Sequence, residues 1–194
     1  MLIDHKQFFV KEHVAVLKLT DTYDILDPAT QQPLGVAKEE PPVWAKYLRL
    51  LVNKSLMPTR VNVYEQQNLP PVFSIQVSAL RLRINVLGSD GHKLGSFKTK
   101  FFSLGGGFWV RDAQDQQVAQ VKGDWKGWNF QLLDAQGNEL GVITKKWAGI
   151  GRELFTSADN YMISLSDVAA ANPGNAVLLL AAGLAIDVVL KEKQ

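Results

Sequence analysis

Asn175-Ala176-Val177-Leu178-Leu179-Leu180-Ala181-Ala182-Gly183-Leu184-Ala185-Ile186-Asp187-Val188-Val189-Leu190 is the stretch on which the fold turns. It follows Pro173-Gly174, precedes Lys191-Glu192-Lys193-Gln194, and is apolar on every side when wound as a helix. Such a helix belongs inside a protein or inside lipid. A membrane span needs about 20 apolar residues; this run is shorter and contains Asp187, whose charge is costly in lipid. Burial requires an interior to fill, and the rest of the chain supplies one. With the helix buried, Asp187 is expected at a mouth of that interior, beside water, a Lys or Arg, or other polar donors that offset its desolvation. A proton or ion site is the functional alternative for this carboxylate.

Working outward, four segments share one layout. Phe130 to Ile143 is the clearest: an apolar run, a polar turn with Asp134 and Gly137, then Leu140-Gly141 and a second run. Phe108 to Val121 repeats it through Asp112, Asp115 and Val118-Ala119, and Ile84 to Phe97 through Gly88, Gly91 and Leu94-Gly95. Tyr23 to Val36, with Asp27 and Leu34-Gly35, is a fourth copy with a longer turn. β-Branched and aromatic residues alternating with polar ones, on both sides of an Asp/Gly turn, spell a β-hairpin. A lone hairpin cannot bury its apolar face, so the copies are expected to pair into one meandering sheet. Closing that sheet into a barrel removes its free edges. Further strands are expected at Thr59 to Glu65 and Val72 to Ala79, two β-rich runs bounded by Pro58, Pro70 and Pro71. Residues 42–53 place Trp44, Tyr47, Leu48, Leu51 and Val52 at helical spacing, with Lys46, Arg49 and Lys54 off that stripe. This predicts a short amphipathic helix capping a barrel end, with a membrane-interface seat for Trp44, Lys46 and Arg49 as the other reading.

The 194 residues are expected to form one domain spanning 1–194. Hydrophobic residues make up 46% and charged ones 21%, which suits a globular chain and not a disordered one. A net charge of +2 gives no global pull toward nucleic acid, and no nucleic-acid partner is expected. There is no cysteine, which excludes disulfides and thiolate chemistry. Met1 to Val10 lacks the apolar core of a signal peptide, so a cytoplasmic location, peripheral to a membrane, is expected.

The segment Lys145-Lys146-Trp147-Ala148-Gly149-Ile150-Gly151-Arg152-Glu153-Leu154-Phe155-Thr156-Ser157-Ala158-Asp159-Asn160-Tyr161 resembles a region of the phospholipid scramblases. The matching residues are Trp147, Gly149, Arg152, Glu153, Phe155, Ala158, Asp159, Asn160 and Tyr161, and the run around Asp187 is similar to the C-terminal helix of the same proteins. The resemblance implies the scramblase-like branch of the tubby C-terminal-like superfamily, which includes the plant LURP-one-related proteins. It therefore implies a mainly β fold: an antiparallel closed barrel of about twelve strands around a central C-terminal apolar helix. Scramblases carry a proposed calcium segment starting at the aspartate matched here by Ser157. Asp159, Asn160 and Ser164 offer oxygens, but Ser157 replaces the first acid and Val168 stands where the last would fall, so no metal or other cofactor is expected. On the residues alone, Ala158-Asp159-Asn160-Tyr161 reads as a turn into a strand. The long N-terminal extensions of animal scramblases have no match in this sequence.

His5, His13 and His92 lack zinc-ligand spacing and sit in no nucleophile motif, so no catalytic residues are assigned and no enzyme is expected. Gly105-Gly106-Gly107 falls between strands and reads as a hairpin turn, since phosphate-binding glycine loops lead into helices. Trp109, Trp125, Trp128 and Trp147 lie in or near hairpin arms, some facing the core. Basic residues cluster as Arg81 and Arg83, Lys98 and Lys100, Lys122 and Lys126, and Lys145 and Lys146. Period-two spacing puts Arg81 with Arg83, and Lys98 with Lys100, on one outward face, which suits anion binding as well as ordinary solvation. The expected function is a non-catalytic binding module whose basic outer face engages anionic phospholipid headgroups or a partner protein. The alternative is a membrane-associated lipid translocator that inserts residues 175–190.

Overall fold

The computed structural model describes residues 1–13, 20–48, 51–52, 56–66, 68–79, 83–100, 107–124, 127–145 and 160–190. Twelve strands among them form one closed antiparallel barrel: β1 (Gln7–Glu12), β2 (Thr22–Leu26), β3 (Pro33–Glu39), β4 (Thr59–Tyr64), β5 (Phe73–Val77), β6 (Arg83–Gly88), β7 (Lys93–Thr99), β8 (Gly107–Asp112), β9 (Gln117–Asp124), β10 (Asn129–Asp134), β11 (Glu139–Thr144) and β12 (Tyr161–Leu165). Each strand pairs with its sequence neighbours, and β1 pairs with β12 to close the ring. Three α-helices are described, α1 (Val43–Leu48), α2 (Asp167–Ala170) and α3 (Pro173–Leu190), with a short 3-10 helix at Leu2–Asp4.

The four repeat copies are the hairpins β2–β3, β6–β7, β8–β9 and β10–β11, and their turns are built alike. The Gly137 N–H donates to the Asp134 carbonyl, and the Asp134 N–H donates to that of Asn138. The corresponding pairs recur at Gly91 with Gly88 and His92, and at Asp115 with Asp112 and Gln116. The residue closing each turn is left-handed: Gly137 at φ 90°, Gly91 at 81°, Asp115 at 65° and Gln31 at 59°. Pairing then slips by one residue at the same place in every copy, after Leu132, Val86, Val110 and Ile25. A tight turn followed by a left-handed bulge residue matches the twist of the flanking strands. Gly107 opens β8, while Gly105 and Gly106 lie outside the described residues.

Alternate side chains of the strands point inward onto α3, which lies inside the barrel as the apolar stretch predicts. From Ala176 to Val189 only Leu178 is more than marginally exposed. Each fully buried Leu or Ile here contributes roughly 1.5–3 kcal/mol of apolar burial. Asn172 starts the helix, its side chain accepting the Gly174 N–H at 2.9 Å, and Pro173 occupies the first turn, where its missing N–H costs nothing. No helix among the described residues is long and apolar enough to cross a membrane.

The two ends of the barrel differ. The four repeat turns and the start of α3 lie at one end; the last turn of α3 and the C-terminal ends of β1, β3, β5, β7, β9 and β11 lie at the other. The β3–β4 connection carries the expected short helix, described over Val43–Leu48, and the Val52 N–H donates to the Leu48 carbonyl at 2.8 Å. The predicted apolar stripe does not cap the barrel: Ala45 is the buried residue of α1, while Trp44 and Tyr47 are 56% and 67% exposed. Helical spacing defines a stripe without defining its partner, and the methyl side of Ala45 is the one the barrel accepts. Arg49, Asn53 and Lys54 lie outside the described residues.

Candidate functional site

The barrel register assembles one basic face. Arg83 on β6 stands opposite Lys98 on β7, Lys98 opposite Trp109 on β8, and Trp109 opposite Gln120 on β9. These four point outward because their neighbours Ile84, Phe97, Phe108, Val110 and Val121 fill the core. Lys122 lies two residues beyond Gln120, on the same face. Lys100 folds back over the row, its Nζ 3.6 Å from the Trp109 ring centroid and 2.9 Å from Gln120 Oε1.

Like charges directly across a strand pair repel, and this face keeps Arg83 and Lys98 in that position. Burial, and then the charge of Lys122, lower the Lys100 ammonium pKa from its ordinary value. Arg83 approaches the Asp115 carboxylate only at 4.0 Å, and that carboxylate is held at 2.7 Å by Lys93. Lys98 and Lys122 are exposed and have no acidic partner among the described residues. An anion seated among Lys98, Lys100 and Lys122 would relieve this repulsion.

Arg81, Lys126 and Lys146 lie outside the described residues. Lys145 is not brought to this face. It follows β11, with its Nζ 4.4 Å from the ring centroid of Trp128. Trp128 is the core-facing tryptophan, buried against Tyr161 and Phe130; Trp109 faces outward, and Trp125 and Trp147 are not described. Trp109 and Gln120 are the members of the face that its charge pattern does not reveal. Their parity opposite to Phe108, Val110 and Val121 was the available signal.

Of the motif residues, Trp147, Gly149, Arg152, Glu153, Phe155, Ala158 and Asp159 lie outside the described residues, whereas Asn160 and Tyr161 are buried where β12 begins. Ser164 stands four residues beyond Asn160, about 13 Å by strand rise, so Asn160 and Ser164 do not converge on one ion at calcium–oxygen distances of about 2.3–2.6 Å. Among the described residues, no group of three or more His, Cys, Asp or Glu side chains could hold a metal ion.

Asp187 lies at a barrel mouth, as expected, but withdrawn from water at 1% exposure. The Tyr23 hydroxyl donates to its Oδ2 at 2.8 Å. Burial first, then the Asp187 charge, push the Tyr23 phenol well above its ordinary pKa; the same two causes act on Tyr161, with Glu12 adding to both. A carboxylate in the last turn of a helix faces the negative end of the helix dipole. The Tyr23 donor offsets part of that cost.

Comparison with known proteins gives the site its context. The family model described as Scramblase matches residues 69–193, which include the basic face, the motif segment and α3. A phospholipid scramblase family protein of Schizosaccharomyces pombe is 30% identical over 88 residues, an alignment covering 44% of this chain and 23% of that protein. This chain thus matches less than a quarter of that relative's length. No solved structure matches the chain.

Proposed function

Because this chain belongs to the Scramblase family, we propose that it is a non-catalytic lipid-binding module whose basic outer face engages the headgroups of anionic phospholipids. The observation that carries the reading is the group of Arg83, Lys98, Lys100 and Lys122 around Trp109. These are cations placed close together, of which only Arg83 has a carboxylate within 4.0 Å among the described residues, and Lys100 lies over the Trp109 ring. Each Lys or Arg near an anionic membrane surface contributes about 1 kcal/mol of attraction, falling with salt over a Debye length. Four such residues suffice for reversible, peripheral binding.

Binding is favoured over translocation through α3 by the place of that helix. It fills the barrel and holds Asp187 on Tyr23, so inserting it in lipid would empty the core and break that bond. The test is vesicle co-sedimentation with phosphatidylcholine alone and with added phosphatidylserine, across a salt series. The wild-type chain should sediment with the anionic vesicles at low salt and bind more weakly as salt rises. Lys98→Glu with Lys122→Glu should lose most of that binding and flatten its salt dependence. Absence of any wild-type binding at low salt would defeat the proposal.

A further inference from the structure

Exposed large apolar side chains concentrate in one connection, that between β3 and β4. Val43, Trp44, Tyr47, Leu48, Leu51 and Leu56 are all exposed there, Leu51 at 86% and Val43 at 75%. Single exposed apolar residues are ordinary, but a contiguous group marks a contact surface. The composition indicates which kind. Between Pro41 and Pro58 there are three basic residues, Lys46, Arg49 and Lys54, and no Asp or Glu. Trp and Tyr beside leucines and lysines, without acids, are the residues that settle at the boundary of headgroups and acyl chains.

The patch also adjoins the basic face. Val43, at the start of α1, lines one groove with Ser78 and Asn85. Asn85 is two residues from Arg83 on β6, and the Ser78 hydroxyl accepts the Arg83 N–H at 3.1 Å. One side of the molecule therefore carries cations suited to headgroups and, next to them, apolar residues suited to the layer beneath. A second copy of the chain is a poorer occupant, because this segment has basic residues and no acid with which a second copy of itself could pair them.

We infer that α1 together with Leu51 is a bilayer-interface anchor, in which Trp44, Tyr47 and Leu51 enter the headgroup–acyl boundary while Lys46 stays with anionic headgroups. The inference rests on the lipid-binding reading above and adds the element that penetrates. Electrostatic contact on the basic face brings the barrel to the surface; the anchor supplies the part of binding that salt does not screen.

The experiment uses the full chain and phosphatidylcholine vesicles with added phosphatidylserine, in plain and bromine-labelled forms. Tryptophan fluorescence of the wild type should be quenched by the bromolipid, and Trp44→Phe should remove most of that quenching. Trp44→Ala with Leu51→Ser should cut partitioning at high salt by about tenfold, with binding at low salt partly kept. Both sites are exposed, so circular dichroism and the unfolding midpoint should match the wild type. Unchanged quenching in Trp44→Phe, or wild-type partitioning of the double variant at high salt, overturns the inference. Loss of binding confined to the Lys98→Glu, Lys122→Glu variant overturns the anchor and leaves the headgroup reading standing; loss confined to the anchor variant supports the anchor and defeats the headgroup reading. A wild-type dimer that the anchor variant converts to monomer also overturns it, assigning the patch to a second copy.

Discussion

The hydroxyl of Tyr23 on β2 and the carboxylate of Asp187 in the last turn of α3 are joined by a buried 2.8 Å hydrogen bond across 164 residues of sequence. It ties the helix to the wall of the barrel at the end where the helix dipole opposes a negative charge. Removing the donor leaves a buried carboxylate less satisfied, and bonds to charged groups of this kind are worth about 1.5–3 kcal/mol. Tyr23→Phe should lower the urea midpoint by that much stability at an unchanged slope. Tyr64→Phe, which removes a bond to the exposed Glu40, should cost less than about 1 kcal/mol.

The same mouth sets the alkaline limit of the fold. The Tyr23 and Tyr161 phenols have folded pKa values well above 10.0 because burial and the nearby Asp187 oppose phenolate. A raised folded pKa means the native state holds the proton more tightly. The stability this provides is present below the unfolded value and is lost as pH rises above it. Of the four tyrosines, Tyr23 and Tyr161 should ionise only as the chain unfolds. Phenolate absorbance followed alongside circular dichroism checks this; free titration of all four in the folded state would contradict it.

Acid acts at the opposite end, through the repeat turns. Asp27 is lowered chiefly by the Thr30 and Ala29 N–H groups, Asp90 by the His92 N–H, Asp115 by Lys93 and Asp134 by Asn138. Each depressed carboxylate stabilises the fold above its unfolded pKa of 3.8 and loses that contribution as pH falls through its folded value. The thermal midpoint should therefore fall below about pH 4. Asp134→Asn should have a shallower acid limb, because one of the four groups no longer titrates.

Packing of α3 against the wall gives a further contrast. A methyl at Gly141 would lie 2.5 Å from Leu179 Cδ2 and 2.6 Å from the Ser164 carbonyl oxygen, which is backbone and cannot step aside. At Gly183 it would meet the tip of Ile163 at 2.6 Å and the Tyr161 ring at 3.2 Å. Overpacking of this kind costs about 1–3 kcal/mol, whereas Ala gains about 1 kcal/mol over Gly within a helix. Gly141→Ala should be the more destabilising of the two in denaturant titrations. The reverse order would show that α3 packs loosely on β11 and β12.

What was legible in the sequence follows the range of the forces involved. The hairpins could be read because Gly91 and Gly137 announce left-handed positions, and because inward and outward residues alternate beside them. The strand β1 could not: Phe8, Phe9 and Val10 are all buried, so no alternation marks it. The all-round apolar character of α3 indicated an interior, yet its tie to Tyr23 depends on a distant strand. The outward parity of Lys98 was visible, while the opposition of Arg83, Lys98 and Trp109 required the register. For α1 the spacing gave a stripe, and the structure turned that stripe outward.

Hydrogen exchange across α3, with and without vesicles containing phosphatidylserine, tests most directly whether lipid is met by the outside of a barrel that keeps its helix. The amides of residues 179–189 should exchange only by global unfolding in both conditions, while protection changes at the exposed β6–β9 face and at residues 43–48. Rapid exchange of the α3 amides on adding vesicles, or their transfer into contact with lipid, would mean that the helix leaves the barrel, and would contradict the account.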